Sequence, residues 1–239
     1  MTKHTHRTTR LRWLVASLSL LVAAACTSAA TGSATGSTTS PRSTPSATPS
    51  GIIVTRTFLG AGQHPAVTVE APSAKWTPFK EFALTNDCCG VAFWDVGMVA
   101  RNPCHSIGNL VDPGPTVEDL VTALEAQPMR HATPPTNVTL AGYQGKYLEW
   151  SVPKDWVVTG DGNFKGCDVQ DDGSRDFVSW LGAGGIGQRW QQEAGQVDRL
   201  WILNVNGQRL VIDASHAPGT TQAQLAEQAA IVRSVRFAT

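Results

Sequence analysis

The stretch VDRLWILNVNGQRLVIDAS, residues 197–215, constrains this chain more than any other. Asn206-Gly207 is the dipeptide that a two-residue hairpin turn with φ > 0 at both positions calls for, and apolar residues flank it on both sides. Such a turn fixes the register of the two strands. Leu203 then faces Leu210 and Trp201 faces Ile212 on one side of the pair, while Ile202 and Val211 lie on the other. With apolar side chains on both faces, the hairpin is expected to be internal or covered.

What surrounds it alternates strand and turn. AVTVEAP (66–72) reads as a Val-rich strand stopped by Pro72. GVAFWDVGMVA (90–100) reads as one longer strand, with Ala92, Trp94, Val96 and Met98 on a core face and Phe93, Asp95 and Gly97 opposite. Pro103, which has no N–H for a ladder, ends it. In DPGPTVEDLVTALEAQP, Thr116 and Asp119 form a capping-box pattern. Val117, Leu120, Val121 and Leu124 recur at helical spacing, predicting an amphipathic helix over about 117–127 closed by Pro128. Two β segments follow, 137–142 and 145–153, around a Gly-bounded turn. The chain ends in a second helix capped by Thr220 or Thr221, with Leu225, Ala229, Val232 and Val235 on one face. Helices on an antiparallel sheet give an α+β class.

The first twenty-six residues carry a basic leader (Lys3, Arg7, Arg10, Arg12), an apolar run from Trp13 to Val22 and then small residues ending in Cys26. That order is a secretory leader, and the apolar run is too short to span a bilayer comfortably. Ala23-Ala24-Ala25-Cys26 resembles the lipobox of bacterial lipoproteins, with Ala23 standing where Leu is commoner. The resemblance implies a signal peptide over 1–25 and a diacylated Cys26, an anchor on the extracytoplasmic side of the cell membrane. Residues 26–50 are rich in Ser, Thr, Ala, Pro and Gly with one charge, Arg42, and cannot bury enough apolar surface to fold. They read as a disordered tether with a reach of about 25–30 Å.

Residues 51–239 are the length of one domain. Five of the nineteen Lys and Arg lie before residue 51 and none of the nineteen Asp and Glu do, so the domain carries fourteen basic against nineteen acidic side chains, a net −5. A mildly acidic domain lacks the basic footprint of a nucleic-acid binder. Its four cysteines, an even number in an exported chain, predict disulfides. Cys104 with Cys167 is the expected long-range bridge, and adjacent Cys88 and Cys89 are either bridged to each other or partly free. Zinc-type spacing is absent, since only His105 lies near and it follows Cys104 directly.

The order PTVEDLVTAL, GYQGKYLEWSVP, VDRLWILNVNGQRLVIDA and LAEQAAIVRSVRF resembles actinobacterial exported lipoproteins with a PsbP-like domain, including the LpqN-type mycobacterial lipoproteins. The likeness covers roughly residues 65–237 and consists of strand, turn and helix patterns. It implies a curved antiparallel sheet with two main helices packed against it and binding or assembly roles without assigned catalytic residues. The chain departs from the pattern at Cys88-Cys89 and in the glycine-rich insert at 182–187.

That insert, LGAGGIGQRW, has the G-x-G-x-x-G spacing of dinucleotide sites at Gly182, Gly184 and Gly187. A cofactor site also needs a helix after the glycines, a crossover to a parallel strand and an acid about twenty residues on. Here QRWQQEA lasts seven residues, a hairpin follows, and positions 202–207 hold no acid. The expectation is a loop between strands and no cofactor. Asp168, Asp171, Asp172 and Asp176 likewise fail the EF-hand pattern, because Gln170 and Ser179 stand at ligand positions. Asp213, Ser215 and His216 are the best grouping for a cell-envelope hydrolase, the alternative function, but strand alternation sends His216 to the face opposite the other two. The expected function is therefore a non-enzymatic binding module for an envelope component, an exported protein or a small apolar ligand. Of seven domain tryptophans, Trp94, Trp150 and Trp201 are expected in the core. Trp156, Trp180 and Trp190, with Gly184 and Gly187, are the candidate binding rim.

Overall fold

The computed structural model describes residues 52–56, 66–160, 162–185 and 187–238. All of them belong to one compact unit, Ala47–Thr239. The leader, the proposed lipid attachment at Cys26 and the tether lie outside the described residues, as does Ile186. In chain order the elements are β1 (Ile52–Arg56), β2 (Val67–Ala71), β3 (Thr77–Phe79), β4 (Ala83–Thr85), β5 (Cys89–Trp94), β6 (Val96–Ala100) and β7 (Leu110–Val111). Then come α1 (Val117–Glu125), β8 (Thr136–Leu140), β9 (Tyr143–Ser151), β10 (Val178–Gly182), β11 (Gln188–Trp190), β12 (Val197–Val205), β13 (Gln208–His216), α2 (Gln222–Arg233) and β14 (Arg236–Phe237).

The strands form three antiparallel sheets. The largest has the order β3-β4-β5-β13-β12-β9-β8, a second β11-β10-β6-β7, and a third β1-β2-β14. The predicted hairpin is the centre of the largest sheet, with Trp201 opposite Ile212, Leu203 opposite Leu210 and Ile202 opposite Val211. It is flanked by β9 and β5 and buried on both faces. Leu203, Leu210, Ile212 and Ala214 pack with α2 (Ile231, Val232), Val235 and β2 (Val67, Val69). Leu200, Ile202 and Val211 pack on the other face with α1 (Val117, Leu120, Val121, Leu124), Trp94, Trp150 and Trp180. A third, smaller core of Cys104, Val152, Phe164, Cys167 and Phe177 lies under the long loops.

Both helices start where a capping box puts them, at Thr116 with Asp119 and at Thr221 with Gln224. The α1 stripe is the one its spacing predicts; each of its fully buried leucines contributes roughly 1.5–3 kcal/mol. In α2 the inward face is rotated from the predicted one. Gln228 and Ile231 are buried beside Val232, whereas Leu225 and Ala229 are only partly covered. The Gln228 amide reaches the ends of two strands, donating to the carbonyls of Gly90 (3.0 Å) and Ser215 (2.7 Å).

The segment 90–100 is two strands. β5 stays beside β13 as far as Trp94, and β6 leaves to pair with β10 and β7. The bend at Asp95 is fastened by its carbonyl accepting the Ala183 N–H at 2.7 Å. Gly97 permits the approach, since a Cβ there would stand 2.8 Å from Ala183 Cα. Because the strand changes sheets, both its faces become core: Val91, Phe93, Trp94, Val96 and Val99 are all buried. With fourteen strands and two α-helices among the described residues, the molecule is richer in sheet than two helices on a single sheet. β3, β4 and β7 are two or three residues long, too short for alternation to mark them.

Cys104 and Cys167 stand at disulfide distance, 4.5 Å between Cα atoms, within the range that bridge geometry requires. Cys88 and Cys89 pair with each other, also at disulfide distance.

The turn between β8 and β9 is Ala141-Gly142, both at positive φ. Gly145, in β9 itself, lies so close to β12 that a Cβ would run into the Ile202 carbonyl. Gly145→Ala is expected to cost about 2 kcal/mol or more through overpacking, and Gly160→Ala, with open space around it, close to nothing. Urea denaturation of the two variants measures the difference.

Candidate functional site

One helix is about 10 Å wide and strands are about 4.8 Å apart, so a seven-stranded face is wider than one helix covers. The two helices are staggered across the sheet. α1 packs over β9 and β12 on one face, and α2 over β5 and β13 on the other. On the α2 face, β9 and β12 are consequently left partly open, and a cavity of about 290 Å³ lies there between sheet and helix.

Its floor is a two-by-two patch set by the β9–β12 register, in which Tyr147 is opposite Trp201 and Glu149 opposite Arg199. The Tyr147 and Trp201 rings are 5.0 Å apart between centroids and tilted by 53°. Glu149 Oε2 accepts from Arg199 Nε at 3.1 Å and from the Tyr147 hydroxyl at 3.4 Å. Burial, and next the Glu149 carboxylate, raise the Tyr147 phenol above its ordinary pKa, so it stays a neutral donor. Val232, Ala229 and Arg233 of α2 form the wall. Arg199 and Glu149 on the floor and Arg233 on the wall thus put two guanidinium groups and one carboxylate around the aromatic floor. Arg199 and Glu149 are partly exposed, and their pairing is worth at most about 1 kcal/mol, so it yields easily to a competing anion. A larger trough of about 710 Å³ opens between α1, β8 and β9, but its lining contains no aromatic ring.

The opposite face of the same strands holds a buried charge cluster. Asp198 and Asp213 continue the inward rows of Leu200, Ile202 and Val211, while Arg189 comes from β11 and Arg130 from the segment after α1. Arg189 bridges the two carboxylates, Nη2 to Asp198 Oδ1 and Nε to Asp213 Oδ2. Arg130 Nη2 donates to Asp198 Oδ2 at 3.0 Å, and its guanidinium lies 3.8 Å from the centre of the Trp150 ring. Gln196 Nε2 adds a donor to Asp198 Oδ1 at 2.9 Å. Burial opposes ionisation of Asp198, but Arg189 and Arg130 hold its carboxyl below the usual range. At Asp213 burial wins, pushing the carboxyl up to about 7 against the pull of Arg189. Its Oδ1 accepts no hydrogen bond, which suits an oxygen that takes a proton. Burial likewise lowers Arg130 to about 10, so it is charged at neutral pH.

The five candidate rim residues do not gather into one rim. Trp180 is fully buried, stacked on Trp150 at 5.8 Å and edge-on to Trp94 at 5.9 Å; β10 lies over the large sheet, so a side chain beside a loop points into the core. Trp156 is half-buried in the third core, 5.4 Å from the Phe177 ring, and its indole N–H donates to the Lys165 carbonyl at 3.1 Å. Trp190 is 40 % exposed. Gly184 is exposed at positive φ, and Gly187, also at positive φ, sits against Trp94 and Phe82. The glycine-rich insert joins β10 to β11 as an antiparallel hairpin, with the Gly182 N–H donating to the Gly187 carbonyl at 3.0 Å. Trp201, expected in the core, is half-buried and forms part of the cavity floor instead.

No protein-family model matches this chain, and a search of curated proteins finds no match.

Asp213, Ser215 and His216 are not assembled for a proton relay, since the Asp213 carboxylate is held by Arg189 and the His216 Nδ1 lies 3.3 Å from the Ala217 carbonyl. Three carboxylates of the 168–176 loop are held by hydrogen bonds: Asp168 accepts from Ile107 N at 3.1 Å and pairs with His105 at 3.0 Å, Asp172 accepts from Ser174 N, and Asp176 accepts from Ser174 Oγ at 3.1 Å. Neither the cavity nor the charge cluster stands out in the sequence. The signal for the cluster is an Asp in register with an apolar strand face, at both 198 and 213.

Arg189→Met strands the buried Asp213 and leaves Asp198 to Arg130 and Gln196, and is expected to cost on the order of 3–5 kcal/mol in chemical denaturation. The folded protein keeps a proton on Asp213 up to about pH 7, where the unfolded chain releases it above about 3.8. Stability should therefore fall as pH rises through that window and level off above it. Asp213→Asn is expected to flatten that slope, measured as unfolding free energy against pH.

Proposed function

We propose that this chain is a lipid-anchored, extracytoplasmic binding module of the cell envelope, non-enzymatic, and that its ligand is a small apolar or aromatic molecule carrying one negative group. The cavity beside α2 carries the proposal. An apolar body lies on Trp201 and Tyr147, which offer large rigid faces with little side-chain entropy to lose. The anionic end lies toward Arg233 and Arg199, whose combined charge exceeds that of Glu149 by one. A volume of about 290 Å³ restricts the occupant to a small molecule.

The anchor rests on the leader and Cys26, and two cysteine pairs at disulfide distance are what an oxidising compartment favours. The resemblance to PsbP-like exported lipoproteins belongs to the same proposal. A helix on each face of an antiparallel sheet supports it, with curvature of the sheet as the further expectation.

Decanoate, a chain with a single carboxylate, is expected to bind saturably in titration calorimetry and more tightly than decanol. Arg233→Glu, at an exposed position, should weaken decanoate by about tenfold, or about 1.4 kcal/mol, and leave decanol unchanged. Equal binding of acid and alcohol by wild type and variant would remove the anionic-end assignment, and no binding of either would remove the cavity as the site. In cells, the wild-type chain should fractionate with membrane and Cys26→Ser with soluble material; identical fractionation would dismiss the anchor.

A further inference from the structure

A disulfide stabilises a fold chiefly by closing a loop in the unfolded chain, and the gain grows with the length of that loop. Cys104 and Cys167 are separated by 63 residues, a closure worth on the order of 4 kcal/mol. Cys88 and Cys89 are adjacent and close no loop at all. Nothing in the fold is held together by that pair. The surrounding main chain is fixed without it: Asn86 Oδ1 accepts the N–H groups of Cys88 (3.1 Å) and Cys89 (2.9 Å), Asn86 N donates to the Cys89 carbonyl at 2.9 Å, and Ala217 N donates to the Cys88 carbonyl at 2.9 Å. Opening the sulfur–sulfur bond therefore leaves every one of these bonds in place.

The two cysteines differ in burial. Cys88, just before β5, is half-buried against the apolar core, while Cys89 is 6 % exposed and belongs to it. Across the β5–β13 pair, Cys89 stands directly opposite His216, a register that puts the two side chains on the same face with Cβ atoms about 5 Å apart. The His216 ring donates from Nδ1 to the Ala217 carbonyl at 3.3 Å, which leaves Nε2 as the acceptor nitrogen. Nε2 is buried and has no hydrogen-bond partner. A half-buried cysteine, a buried cysteine and a buried proton acceptor opposite the buried one are the parts of a thiol–disulfide exchange site.

We propose that Cys88 and Cys89 are a redox-active pair that exchanges two electrons stoichiometrically with an external dithiol, beside the non-enzymatic ligand binding proposed above, with His216 as the base. In the reducing direction a thiolate of the dithiol attacks Cys88 Sγ, the Cys88–Cys89 bond breaks, and Cys89 Sγ leaves with the electron pair. The proton lost by that attacking thiol reaches Cys89 through His216 Nε2. The second thiol of the donor then gives up its proton and attacks the donor sulfur joined to Cys88, closing the donor's own disulfide. Cys88 Sγ leaves and takes that proton. The pair is reduced, the dithiol is oxidised, and two electrons and two protons have passed. In reverse, His216 Nε2 removes the Cys89 proton and makes the thiolate, the nucleophilic form.

The test treats the full chain with increasing dithiothreitol, quenches with N-ethylmaleimide and maps the labelled peptides, following near-ultraviolet circular dichroism in parallel. The expected result is labelling of Cys88 and Cys89 at dithiothreitol concentrations that leave Cys104 and Cys167 unlabelled and the circular dichroism native. Labelling of Cys88, Cys89, Cys104 and Cys167 together, or labelling only as the native spectrum is lost, would overturn the proposal. So would a folded protein in which the adjacent pair resists reduction as long as the distant one. For the role of His216, His216→Gln is expected to slow the exchange at least tenfold with the reduction midpoint and thermal midpoint unchanged. An unchanged rate assigns the chemistry to the cysteines without a base and overturns that half.

Discussion

The structure is organised by the requirement that a hairpin with apolar side chains on both faces be covered on both sides. A sheet with one wet face needs a single layer of helix. β12 and β13 have no wet face over most of their length, so the fold supplies α2 and the β1-β2-β14 sheet on one side and α1 with the second sheet on the other. Covering is unequal, because neither helix is wide enough for the whole sheet. The stagger of α1 and α2 leaves the open strip from which Tyr147 and Trp201 emerge. The candidate site is thus a by-product of how the core is closed.

The buried charges serve the same closure at the point where three strands of two sheets and a connecting segment meet. β11 is three residues long and has little apolar surface with which to stay docked. Arg189 ties it to β12 and β13 at once, and Arg130 ties the segment after α1 to the same carboxylate. Ion pairs are directional where apolar contacts are not, so the cluster contributes more to where β11 sits than to net stability. Gln127 does similar work nearby, its amide donating at 2.7 Å to Ala100 of β6 and to Ser179 of β10.

Where sequence and structure agree, the signal is local. Asn206-Gly207, the Thr116 capping box, a threonine cap at 220 or 221 and the α1 stripe were legible because turn chemistry and helix periodicity involve residues a few positions apart. Trp180 and Trp201 exchanged roles for a non-local reason: a Trp beside a loop is inside if a second sheet lies over it, and a Trp in a central strand is half-open if the helix above stops short. Alternation gave Asp213 its face but not its partner, and Asp198 passed unread, because Arg130 and Arg189 arrive from far off in the chain or from another sheet. The break at Asp95 was hidden by an unbroken apolar run, since a strand that changes sheets reads like one that continues. Cys104 with Cys167 was accessible through elimination among four cysteines, whereas the placement of His216 against Cys89 required the β5–β13 register.

The third core has five fully buried residues, two of them the cysteines of the long-range pair, beneath loops that carry two isolated bridges and no regular strand. Such a lobe is held more by its covalent cross-link and a knot of aromatic rings than by hydrogen-bonded ladders. Sequence drift in the 153–177 segment is correspondingly cheap. Substitutions there must preserve the placement of the two cysteines, the Phe164–Phe177–Trp156 contacts and the Arg175 bonds that tie the loop to Cys167 and Phe164. Changes confined to the lobe's exposed turns leave the ladders of the large sheet beneath it as they are.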